Sequence, residues 1–184
     1  MHIYKILFFI MSLSPAIHSF EEGSVFNEDV KIIYRDYGPK DAEPILLVQG
    51  LGGQLINWPD HLIDFLISNN FRPIVFDNRD TGLSSRLTDD RFAESNRSKT
   101  INSTYLKYYF RLPINPPYTL DDMASDAILI LDKLDIDKTH LLGMSMGGMI
   151  AQIIAANHPE RINSFTLIAS SISAPSPLNG PTRD

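Results

Sequence analysis

The chain has 184 residues, 43% hydrophobic and 21% charged, with no cysteine and a formal net charge of −6, the balance of one soluble globular domain. With a pI near 5.3 and no Lys/Arg cluster, it lacks the means to neutralise phosphates, which argues against a nucleic-acid partner. The missing cysteines remove disulfides, thiol nucleophiles and cysteine zinc sites, and the five histidines are too scattered for a metal-ligand spacing.

Residues 1–19 read as a secretory leader: Lys5, the apolar run Ile6 to Leu13, then the small residues Ser14, Ala16 and Ser19, with no acidic residue before Glu21. The alternatives are a buried first strand or an uncleaved anchor; no run reaches the roughly 20 apolar residues of a membrane span. Export to the periplasm or medium is expected if the leader is used, and a cytoplasmic location otherwise. From Ser24 short apolar runs alternate with helix-like segments, which predicts an α/β domain with a mostly parallel sheet over residues 20–171. Val30 to Tyr37 reads as an early strand paired with Ser24 to Phe26, and Pro44 to Gln49 as a strand buried on both faces. A helix opens near Pro59 with Leu62, Phe65 and Leu66 as its apolar stripe, and Pro73 to Phe76 is a further buried strand ending at Asp77. Asn78 to Pro117 is a polar excursion, of a length that suggests a surface lid. Thr119 caps a helix carrying Asp121 and Asp122 in its first turn and Met123, Ile128, Leu131 and Leu134 on its apolar face. Thr139 to Met144 is a strand, Met146 to Asn157 a helix and Ile162 to Ala169 another strand, before an irregular tail over 172–184.

Two segments carry the chemistry. Gly143-Met144-Ser145-Met146-Gly147-Gly148 is a G-x-S-x-G between a strand and a helix. At such a turn the serine backbone is strained, its flanks Gly143 and Gly147 must be small, and the helix start stabilises negative charge. Gln49-Gly50-Leu51-Gly52-Gly53 follows the preceding buried strand. In an acyl-transfer enzyme that loop supplies one oxyanion N–H and the residue after the nucleophile the other, which assigns Leu51 and Met146. A dinucleotide-binding unit is the rival reading of the glycines and Asp77. Against it, position 55 is Leu and Trp58-Pro59 delays the helix beyond the loop.

Taken together these residues resemble the α/β-hydrolase fold, in the branch of proline iminopeptidases, aclacinomycin methylesterase and cofactor-free haloperoxidases. The resemblance covers about Ser24 to Ser171. Asp77-Asn78-Arg79-Asp80-Thr81-Gly82-Leu83-Ser84 is similar to that branch's D-x-R-G-x-G-x-S, with Asp80 replacing the first glycine. Tyr118 to Ala124 and Asn157 to Ile162 resemble its helix-opening and helix-ending signatures. The resemblance implies Ser145 as nucleophile, oxyanion donors at Leu51 and Met146, a small ester or amide substrate, and no cofactor or metal. Gln49 stands where the branch has the His of a His-Gly pair.

In this fold the triad runs Ser, then Asp or Glu, then His, the last two on strands after the one at Ile162 to Ala169, and no lid, acid strand or histidine loop is expected from residues 170–184. His140 and His158 read as structural, and His61 is the only histidine in the neighbourhood of the site. Asp77, Arg79 and Asp80 read as a hydrogen-bonded turn rather than the triad acid. The expectation is therefore the N-terminal part of a serine hydrolase, incomplete as 184 residues, with a non-catalytic binding module as the alternative. An uncovered sheet edge at Ile162 to Ala169 is expected to promote self-association.

Overall fold

Six strands form one mixed sheet in the order β1-β2-β4-β3-β5-β6. They are β1 Phe20–Asn27, β2 Val30–Tyr37, β3 Glu43–Val48, β4 Phe71–Phe76, β5 Thr139–Met144 and β6 Ile162–Ile168. Among the described residues three helices flank them: α1 Asp60–Ser68, α2 Leu120–Lys133 and α3 Met146–Asn157. The structure, a computed structural model, describes residues 19–87, 107, 110 and 116–171. The expected leader before Ser19, most of the polar excursion and the tail from 172 lie outside them.

β2 pairs antiparallel with β1 and β4, whereas β3 pairs parallel with β4 and β5, and β5 with β6. The connection from β3 out to β4 and the one from β4 back across β3 to β5 run in opposite directions along the sheet, which places their helices on opposite faces. α1 packs on one face, where Ile63, Leu66, Leu55 and Trp58 meet Ile45, Leu47 and Val75. α2 and α3 pack on the other, where Met123, Ala127, Ile130, Leu131, Ile150 and Ile154 meet Leu46, Val48, Ile74 and Phe76. The alternation of Ile45, Leu46, Leu47 and Val48 between the two clusters is the two-residue period of a strand buried on both sides. A strand-order reversal of this kind opens a crevice at the carboxyl ends of the strands. The loop after β3 and the turn after β5 both lie there.

The expected elements are found, with local differences. β1 is longer than Ser24 to Phe26, and Gln49 falls just beyond β3. On α1 the buried side is Ile63 and Leu66, while Phe65 is 62% exposed, so the stripe through Leu62 and Phe65 is corrected by a rotation of the helix. α2 opens on a capping box: the Asp122 N–H donates to Thr119 Oγ1 at 3.2 Å and the Thr119 N–H to Asp122 Oδ2 at 2.7 Å. The Thr119 N–H, and after it the Thr119 hydroxyl at 2.8 Å from the same Oδ2, hold the Asp122 carboxyl below its ordinary pKa.

Two buried ion pairs brace the structure, one between inner strands and one between the turn after β4 and α2. Asp36 of β2, 2% exposed, accepts Arg72 Nε at 2.9 Å and Nη2 at 2.8 Å from β4, and Lys40 as well. Arg79 reaches Asp126 of α2 with Nε at 2.8 Å and Nη2 at 2.6 Å, and Asn27 Nδ2 completes that carboxylate at 2.8 Å. Among the described residues no helix is long and apolar enough to cross a membrane.

Candidate active site

Ser145 occupies the turn between β5 and α3 with φ 54° and ψ −120°, a backbone region that costs a non-glycine residue about 1–3 kcal/mol. Its surroundings hold it there. The Ser145 N–H donates to the Ile168 carbonyl at 2.9 Å, while its own carbonyl accepts the Gly148 N–H at 2.9 Å and the Ser170 hydroxyl at 2.9 Å. The flanking glycines are required by contact. A Cβ on Gly143 would stand 2.5 Å from the Gly147 oxygen, and one on Gly147 would stand 2.0 Å from the Val48 oxygen and 2.6 Å from that of Gln49. The elbow is thus pressed against the end of β3.

That pressure sets the loop after β3 beside Ser145. A Cβ on Gly50 would lie 3.1 Å from Ser145 Cβ and 3.7 Å from its Oγ. The loop closes on itself through Gly53 N–H to the Gly50 carbonyl at 3.0 Å, with Gly52 at φ 72°. This internal bonding uses the N–H groups of Gly50 and Gly53 and not that of Leu51. Met146 is the first residue of α3, so its N–H is one of the orphan donors at the positive end of a twelve-residue helix. Ser145 is exposed. A hydroxyl on a strained turn thus stands beside a glycine loop and a helix N-terminus, a geometry suited to receiving a carbonyl oxygen as it gains charge.

The neighbouring turn is structural, as expected from its sequence. Asp77 Oδ1 accepts the Leu55 N–H at 2.7 Å and Oδ2 the Leu83 N–H at 2.9 Å, joining the segment after the loop to the turn after β4. A Cβ on Gly82 would fall 2.0 Å from Asp77 Oδ2. Asp80 Oδ1 accepts the Leu87 N–H at 2.6 Å. The Tyr118 hydroxyl is pushed above its ordinary pKa by burial and then by its bond to Asp80.

None of the described histidines reaches Ser145. His140 Nδ1 is 2.7 Å from Ser164 Oγ, and its Nε2 lies 3.4 Å from Glu43. His158 pairs with Glu160 at 3.7 Å, and His61 is exposed on the first turn of α1. Among the described residues no group of three His, Asp or Glu could hold a metal ion. α1 begins at Asp60, past the glycines, so no long helix meets the loop as a pyrophosphate site requires.

Two contributors, Asp126 and Ser170, went unnoticed in the sequence, and a third, Gln49, was noticed only as a departure from the His-Gly pair. Asp126, 1% exposed, could have been noticed as an acid on the buried stripe of α2, one turn after Met123. The Gln49 carboxamide lies under the glycine loop. The Ser170 hydroxyl bracing the elbow leaves no signal in the sequence.

A strand-turn-helix serine beside a glycine loop, at the switch point of a mostly parallel sheet, is the arrangement of an α/β-hydrolase core. Residues 43–182 match the α/β hydrolase fold family, and the chain belongs to it. It is 33% identical over 130 residues to the rhodomycin D methylesterase DauP of Streptomyces sp. strain C5, covering 71% of this chain and 35% of that protein. It is 29% identical over 144 residues to the rhodomycin D methylesterase DnrP of Streptomyces peucetius, covering 78% and 40%. The structure of a hydrolase from Pseudomonas aeruginosa PA01 superposes with a TM-score of 0.64 at 25% identity, covering 85% of this chain and 48% of that one. The chain therefore spans less than half the length of these relatives.

Proposed function

We propose that this chain is the nucleophile-bearing part of a serine hydrolase of carboxylic esters or small amides, acting through an acyl-enzyme at Ser145. The observation that carries this reading is the strained Ser145 backbone set against Gly50. Ser145 Oγ attacks the substrate carbonyl carbon, and its proton passes to a base outside the described residues. The carbonyl oxygen takes the negative charge and is received by the Leu51 and Met146 N–H groups. Expulsion of the alcohol or amine, which leaves with that proton, gives the acyl-serine. Attack by water then releases the acid and restores Ser145. Kinship with two methylesterases supports an ester as the substrate.

The test is covalent labelling with a fluorophosphonate. Slow modification confined to the peptide carrying Ser145, and absent from Ser145→Ala, is expected. Modification that Ser145→Ala leaves unchanged would overturn the assignment. With no described histidine bonded to Ser145, p-nitrophenyl acetate should be hydrolysed no faster by the chain than by Ser145→Ala. A second reading, a binding module that keeps the sheet without the chemistry, is favoured by the lack of any described histidine near Ser145; the absence of labelling would support it.

We also infer export through the leader at residues 1–19, with a mature N-terminus between Ile17 and Glu21, and self-association through the β6 edge.

A further inference from the structure

We propose that Gln49 is a positioning residue of the oxyanion loop, its carboxamide wedged beneath the turn so that the Leu51 N–H stays in place for the developing oxyanion. This rests on the acyl-transfer reading of Ser145. Gln49 is 1% exposed, and its Oε1 accepts the N–H of Gly50 at 3.3 Å. The same oxygen fills the space that a side chain at Gly53 would need: a Cβ there would lie 2.7 Å from Gln49 Oε1 and 3.1 Å from Cδ. The carboxamide therefore touches both ends of the Gly50–Gly53 turn, with Leu51 between them.

The main chain of Gln49 is held as firmly. Its carbonyl accepts Asn78 Nδ2 at 3.2 Å and lies against the elbow at Gly147. One residue thus links the strand end, the elbow and the loop. Packing alone does not account for an amide here. Gln49 Nε2 and Asn78 Oδ1 are both buried without a partner among the described residues. An apolar side chain of the same length would fill the site without leaving a buried donor unpaired. What it could not do is accept the Gly50 N–H.

The experiment compares the full chain with Gln49→Met and Gly53→Ala by amide exchange at Gly50, thermal melting and affinity for phenylboronic acid. That probe forms a tetrahedral serine adduct with an oxygen directed at the oxyanion donors. In Gln49→Met the Gly50 amide is expected to exchange at least tenfold faster and phenylboronate to bind at least tenfold more weakly, while the melting temperature holds or rises. Gly53→Ala, which keeps the carboxamide but displaces it, should show the same two losses, and it decides the matter if Gln49→Met fails to fold. Unchanged exchange and affinity in both variants would overturn the proposal. So would a fall in melting temperature that tracks the loss of affinity, the signature of packing alone. If phenylboronate binds Ser145→Ala as well as the parent chain, the serine reading fails, and Gly50 exchange still reports whether Gln49 holds the loop.

Discussion

Replacing Gly147 by Ala tests the contact on which the site depends. The added Cβ would meet the Val48 oxygen at 2.0 Å and the Gln49 oxygen and Val48 carbonyl carbon at 2.6 Å, against an ordinary heavy-atom contact of roughly 3.5 Å. All three atoms are backbone, so no rotamer change relieves the overlap; β3 and α3 must separate by more than about 1 Å. Overpacking of this kind costs about 1–3 kcal/mol or more. On the proposed function, a displacement of that size between Ser145 and the Leu51 and Met146 N–H groups costs on the order of a hundredfold in reactivity. Gly52→Ala is the control. Nothing lies within 4 Å of a Cβ there, and the strain comes only from φ 72°, worth about 1–2 kcal/mol. Urea unfolding and the rate of fluorophosphonate labelling at Ser145 provide the two readouts. Gly147→Ala should be the less stable and much the slower to label. Equal labelling rates in the two variants would show that the elbow does not depend on its contact with β3.

Three further outcomes follow from the buried polar groups and the elbow. Asp126→Ala leaves Arg79 and Asn27 facing an empty site, and it should lower unfolding free energy by about 3–5 kcal/mol in urea titration. Ser145→Gly relieves the positive φ and should stabilise the chain by about 1–3 kcal/mol while abolishing labelling; a destabilised variant would show that the serine is unstrained. Burial alone would raise the Asp36 pKa, but hydrogen bonds from Arg72 and Lys40 outweigh it and hold the group below its ordinary 3.8. Its stabilising contribution is therefore complete above about pH 5 and is lost as pH falls below 3.8 toward the folded value. Urea midpoints across that acid range should fall more steeply in the parent chain than in Asp36→Asn.

Legibility in the sequence followed the strength of the local signals. β5, the elbow and α3 could be delimited to the residue because a strand of period two meets glycines and then an apolar helix without an intervening loop. α2 was equally plain, since Thr119 and Asp122 form a cap whose bonds are local in sequence. α1 was located but misrotated: Leu62, Phe65 and Leu66 and the alternative Ile63, Leu66 and Ile67 have the same spacing, and only the sheet decides between them. The Asp77 turn was readable as a turn, but its partners Leu55 and Leu83 come from opposite sides of β4. The pairing of Arg79 with Asp126 spans 47 positions, a long-range contact that no local pattern announces. Gln49 was noted as unusual, yet its purchase on Gly50 and Gly53 depends on the fold of a tight turn.

The two edges of the sheet differ, and the difference leads to a last expectation. β1 carries Glu21 and Glu22, which pair with Lys40 at 2.8 Å and Arg35 at 3.0 Å; such edge charges discourage another strand from adding. β6 has no charged residue between Ile162 and Ile168. Among the described residues it pairs only with β5, and Phe165, Leu167 and Ile168 are 49%, 37% and 42% exposed. An uncharged edge of seven residues offers about 23 Å of unpaired backbone at roughly 3.3 Å per residue. Two copies meeting there antiparallel would place no like charges opposite each other and would cover the exposed aromatic and aliphatic groups. The chain is therefore expected to associate as its concentration rises, with sedimentation velocity showing the shift. Thr166→Lys introduces one charge at mid-strand and should return the population toward monomer without moving the melting temperature of the dilute protein. A parent chain that stays monomeric over a hundredfold range of concentration, melting in one sharp transition, would show that the β6 edge is protected by something other than charge.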